Sequence, residues 1–190
     1  MFIAAGPTAA RFSAWADRLG ESAGVLEAGG QDGIRDGLLL IHLDAQALLA
    51  AREGALLRAS LDAARRRGAL ISIDLGGAGW IREHGASRTA RELATIRTDI
   101  LFAATAPAAE LGAPLDGLAM LPVETLGSAG CSVHGHRLAA PAGSELDEVS
   151  LAAAFCVAYM EGAGPVEAAG RAVLVAARLP ASTVRGGQPE

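Results

Sequence analysis

Four short apolar runs, at residues 38–43, 70–74, 99–103 and 118–126, are separated by longer stretches in which apolar residues return at helical spacing. Few folds accept that alternation. Each run is too short for a packed helix and too continuously apolar for a half-exposed strand, so each reads as a strand buried on both faces. Strand, helix and strand in succession predict a mostly parallel sheet with right-handed crossovers and helices on both sides. The expected class is α/β, in three αβα layers.

Composition narrows the setting. With 190 residues, 51% of them hydrophobic, the chain is long enough for one sizeable core. We expect a single domain over residues 1–180 and a loose Gly/Pro/polar tail over 181–190. A net charge of -5 gives no basic footprint for nucleic acid. No apolar run approaches the roughly 18 residues that span a bilayer, and the N-terminus lacks the charged lead of a signal peptide. Cys131 and Cys156 are not spaced as a metal or redox pair, so a cytoplasmic location is expected.

Along the chain, Phe12, Trp15, Ala16 and Leu19 form one apolar helix face that Gly20 ends. His42 and Asp44 close the first long apolar run, where α/β proteins place ligand groups, although a satisfied buried histidine explains His42 as well. Residues 45–67 read as a helix, with Arg65, Arg66 and Arg67 complementing its C-terminal dipole. Gly76 to Gly79 reads as a loop, since no phosphate-loop pattern follows and the chain contains no Lys. Ser87, or Thr89 with Glu92, is the expected cap of the next helix, and Ser144 with Asp147 forms another capping-box pattern. His134 and His136, two apart on a hairpin, put both rings on one face of a strand, which can hold a metal only with further ligands.

The most specific pattern lies further on. Thr125-Leu-Gly127-Ser-Ala-Gly130 ends the fourth run, a polar hairpin follows, and Asp147-Glu-Val-Ser-Leu-Ala-Ala153-Ala-Phe155 opens an Ala-rich helix. This resembles the C-terminal half of the ribokinase/PfkB carbohydrate kinases, with their T-x-G-x-x-G strand end and D-T-x-G-A-G-D-A-F helix start. Weaker matches precede it. Gly6 and Arg18-Leu19-Gly20 are similar to the sugar-binding element, Gly29 to Gly33 to the V-G-x-D-x-x-G turn, Asp74 to the head of D-P-N-x-R, and Asp99 to Phe102 to A-D-I-L-F.

The resemblance implies a ribokinase-like fold and ATP-dependent phosphoryl transfer to a sugar or nucleoside hydroxyl. It assigns Thr125, Gly127 and Gly130 to nucleotide, and Gly6, Arg11 and Asp32 to substrate. The departures fall on the chemistry. Ser150, Leu151 and Ala152 replace Gly-Ala-Gly, Ala153 stands at the position of the catalytic base, and Arg11 stands for a sugar-contacting Asn in a chain with no Asn. Ala104, Thr105 and Ala108 replace the residues that help place the metal and phosphates, and the lid between residues 36 and 37 is missing.

The expected function is therefore that of a degenerate, catalytically inactive kinase-like protein with at most weak ATP, ADP or sugar binding. Mg²⁺ is expected only with nucleotide. One alternative is an active small sugar kinase with relocated carboxylates, Asp44, Asp74 and Asp147 being the candidates. The other is a structural or regulatory subunit, pairing with itself or with an active paralogue.

Overall fold

The computed structural model describes residues 1–25, 37–49 and 53–178. An eight-stranded sheet runs in the order β2-β1-β3-β4-β5-β6-β7-β8. Its strands are β1 (Phe2–Ala5), β2 (Ala23–Val25), β3 (Leu40–Asp44), β4 (Leu70–Asp74), β5 (Thr98–Ala104), β6 (Ala119–Thr125), β7 (Cys131–Val133) and β8 (His136–Leu138). From β2 to β6 every pairing is parallel; β7 and β8 join antiparallel at one side. The four apolar runs are β3 to β6, so the mostly parallel architecture follows the hydrophobic pattern closely.

Helices cover both faces. On one side α1 (Ala9–Arg18), α7 (Glu148–Met160) and α8 (Pro165–Arg178) pack over Phe2, Leu40, Ile100, Phe102 and Val123. On the other, α2 (Ala45–Leu49), α3 (Glu53–Arg66), α4 (Ala78–His84), α5 (Ala86–Ile96) and α6 (Thr105–Leu111) pack with Ile41, Leu43, Ile71, Ile73 and Leu101. Residues 149–158 of α7 are buried all round. A helix apolar on every side belongs inside a protein, and α7 lies under α1 and α8 as the central helix of its layer.

Several local expectations are corrected. The stretch from Gly76 to Gly79 is a loop only at its start, because Ala78 already begins α4. Neither Ser87 nor Thr89 caps α5: Gly85 is its N-cap, and the Thr89 hydroxyl donates to the Gly85 carbonyl from inside the helix. Ser144 does not cap α7. Its hydroxyl donates to the Pro141 carbonyl in a turn, and Asp147 takes the cap. The Gly29–Gly33 turn, Asp32 and the 181–190 tail lie outside the described residues.

Candidate functional site

In an open parallel sheet the carboxyl ends of the strands leave a crevice in which ligands bind. Here Gly6 follows β1, Asp44 ends β3, Asp74 ends β4 and Thr125 ends β6. Asp44 and Asp74 are register partners on adjacent strands. Glu148, the first residue of α7, reaches this rim, where its Oε1 accepts the Thr125 hydroxyl at 3.2 Å. Gly6 takes a φ of +108°, and a Cβ there would come within 2.5 Å of the Asp44 Cβ. The chain turns out of β1 against Asp44, and only glycine leaves room.

The rim is acidic. Burial drives the Asp74 carboxyl up to about 6; the Gly76 amide opposes the shift, and the nearby Asp44 and Glu148 carboxylates add to it. Burial also raises Asp44, which is 6% exposed, against the opposing amides of Gln46 and Ala47. Among the described residues none of these three carboxylates has a cationic partner. Nor do the described residues hold any group of three or more His, Cys, Asp and Glu side chains able to bind a metal.

His42 is not part of this rim. It lies one pleat below Asp44, 1% exposed, with its ring stacked on Phe12 at 4.0 Å and its Nδ1 2.9 Å from the Ser72 hydroxyl. Burial lowers its pKa to about 3, so it stays neutral. The Cys156 thiol approaches the same hydroxyl at 3.7 Å, and burial pushes that thiol up to about 12.

The N-terminus of α7 is occupied by its own chain. Asp147 Oδ2 accepts the Ser150 amide at 3.1 Å, and Oδ1 receives Arg11 Nη2 from α1. A helix N-terminus attracts an anion because its first amides lack partners. Here a side-chain carboxylate already sits on it, tied to a guanidinium. Ser150, Leu151, Ala152 and Ala153 continue the helix and are all fully buried. Ala153 lies in the hydrophobic core and faces no cleft. At this helix start the Asp147 carboxylate occupies the position an anion would take.

Of the two glycines that the resemblance assigns to nucleotide, Gly127 is exposed, with nothing near the place of a Cβ. Gly130 is required by packing, since a Cβ would lie 1.9 Å from the Leu138 carbonyl oxygen across the hairpin. The structure thus brings Gly6, Asp44, Asp74, Thr125 and Glu148 to one rim and joins Arg11 to Asp147. It leaves Ala153 inside the core. Sequence reasoning passed over Glu148, whose signal was an acidic residue in the first turn of a helix that follows a polar hairpin.

No protein-family model matches the sequence, and no curated protein matches it. Solved structures do. An adenosine kinase from Sinorhizobium meliloti superposes with a TM-score of 0.67 at 18% identity, over 77% of this chain and 51% of that one. The architecture is the ribokinase-like fold. An aminoimidazole riboside kinase from Salmonella enterica shares this fold, with a TM-score of 0.63 at 12% identity, over 92% of this chain and 76% of that one. So does an uncharacterised sugar kinase from Pyrococcus horikoshii in complex with ATP, with a TM-score of 0.60 at 16% identity, over 75% and 51% of the two chains. The present chain spans about half the length of the adenosine kinase and of the Pyrococcus kinase. This reduced ribokinase-like fold agrees with the loss of the lid read from the sequence.

Proposed function

We propose that this protein is a degenerate member of the ribokinase/PfkB carbohydrate kinases that keeps the kinase scaffold without phosphoryl transfer. The observation that carries this reading is the start of α7, where Asp147 and Arg11 fill the anion position and Ala153 is sealed in the core. A positioned base contributes typically 10²–10⁴-fold and preorganised anion donors a comparable factor, so loss of both removes most of the catalytic advantage. Transfer of a phosphoryl group depends on positioning and charge stabilisation above all. Neither is supplied at this helix.

Binding is a separate matter. Gly6, Thr125 and Gly127 support weak sugar or nucleotide binding at the strand-end rim, where the acidic side chains disfavour a free triphosphate. The two buried free cysteines support a reducing, cytoplasmic setting. Calorimetry tests the binding. Millimolar ADP or a neutral sugar should give a weak isotherm, whereas tight, Mg²⁺-dependent ATP binding would contradict a filled anion position.

A second reading has its own support. Asp74, held near 6 with no cationic partner, has the pKa of a general base, so an active kinase with a relocated carboxylate is the alternative. It requires turnover of a sugar that rises with pH through about 6 and is lost in Asp74→Asn.

A further inference from the structure

Between α2 and α4, beside the carboxyl ends of β3 and β4, lies a cavity of about 320 Å³. Gln46 and Leu49 line it from α2, and Trp80, Glu83 and His84 from α4. Helical geometry explains the set, because residues three and four apart share a face. The Trp80 ring is a fixed wall. Its Nε1 donates to the Leu75 carbonyl at 3.0 Å, and the His84 ring leans against it with centroids 5.7 Å apart. His84 is held in turn by Glu92, 3.0 Å from its Nε2. Gly76, at φ +73°, lets the backbone pass close by: a Cβ there would lie 3.1 Å from Trp80 Nε1 and 3.9 Å from Asp44 Oδ1.

The described lining carries one carboxylate, Glu83, and one imidazole, His84, which Glu92 holds. Glu83 is exposed, and neither its carboxylate nor the Gln46 side-chain amide has a hydrogen-bond partner among the described residues. Asp44 and Asp74 stand at the strand ends behind it. Among the described residues no Arg lines the cavity, and the chain has no Lys to send into it. An aromatic face carries a negative quadrupole that attracts a cation, most strongly in tryptophan. A carboxylate beside such a face strengthens the attraction, and the same charges repel phosphates and carboxylates.

We propose that this cavity binds a small organic cation, with its ammonium group over the Trp80 ring and against the Glu83 carboxylate. The site is separate from the start of α7 and does not depend on phosphoryl transfer. Gln46 adds a neutral hydrogen-bonding group for the rest of the ligand, and Leu49 an apolar wall.

Calorimetry on the full chain tests this, with choline chloride as probe, 3,3-dimethyl-1-butanol as its neutral isostere, and sodium chloride matching ionic strength. Choline should bind about tenfold more tightly than the isostere, the ratio that a cation–π contact of about 1.4 kcal/mol gives. Glu83→Gln, a surface change, should weaken choline several-fold without shifting the melting temperature. Trp80→Leu should abolish binding, and Trp80→Phe, which keeps a ring, should retain part of it. Equal affinity for choline and its isostere would overturn the proposal. So would the absence of choline binding up to about 50 mM, a range that covers the weakest useful affinities, or an unchanged affinity in Glu83→Gln.

Discussion

Arg11 and Asp147 meet across two helices, with Arg11 Nη2 2.5 Å from Asp147 Oδ1, while the other oxygen of the same carboxylate caps α7. One carboxylate therefore links α1 to α7 and occupies the helix end at which an anion would otherwise bind. The arrangement is stable by local rules. Asp is a favoured N-cap, its charge complements the helix dipole, and the guanidinium neutralises it.

That linkage has a measurable consequence. Asp147→Ala removes a cap and an ion pair together and should cost about 1–2 kcal/mol in urea unfolding, most of it from the cap. Arg11→Ala should cost less than about 1 kcal/mol, because the arginine is 44% exposed and such pairs contribute little. A larger loss in Arg11→Ala than in Asp147→Ala would show that the ion pair, and not the cap, holds α7.

Asp74 should make the protein more stable in acid. Its folded pKa of about 6 lies above the ordinary carboxyl value of 3.8. The folded state therefore binds the proton more tightly, and this contribution is present below the unfolded value and lost as pH rises through about 6. Asp74→Asn should raise stability at pH 8 by up to about 3 kcal/mol, and the gain should vanish near pH 4. Denaturant titrations at the two pH values measure it.

His42 acts in the opposite sense. Its folded pKa of about 3 lies below the ordinary imidazole value of 6.5, so the unfolded chain takes up the proton first. Its contribution to stability is present above 6.5 and is lost as pH falls from there towards 3. In proton NMR spectra of the folded protein, the His42 ring should not titrate between pH 5 and 8. A midpoint near 6.5 would mean that the Phe12 stack and the Ser72 contact do not exclude water.

Much of this was legible in the sequence, for physical reasons. Strands β3 to β6 are continuous apolar runs because a parallel sheet buries both faces, and Gly20 stops α1 where its apolar face ends. Helices α4 and α6 were not legible. The first begins inside a glycine-rich stretch, and the second carries Pro107, tolerated because the first turn of a helix needs no amide there. Capping patterns misled at Ser144 and Ser87, since several residues can cap and the path of the chain chooses among them. The proximity of Glu148 to Asp74 is a product of packing between sheet and helix and leaves no local signal. Trp80 is similar: its setting depends on Asp44 and Leu75 approaching around Gly76.

A carboxylate placed at position 153, where the resemblance puts the kinases' base, should harm the fold without creating an enzyme. Ala153 is fully buried in an apolar cluster, with no cationic partner near it in the described core. Ala153→Asp places an unpaired acid there, at a cost of several kcal/mol, and overpacks a site built for a methyl group. The melting temperature should fall sharply, with no gain in ATP turnover. A variant that melted like the wild type would mean that position 153 reaches solvent.

The most direct test of the account is an ADP-release assay on the unmodified protein, with Mg·ATP and a panel of sugars and nucleosides. The filled helix end and the buried Ala153 predict release indistinguishable from a no-enzyme control for every acceptor. Acceptor-dependent turnover of about 1 s⁻¹ or more, an ordinary kinase rate, would contradict it, because such a rate requires an open anion site and a working base.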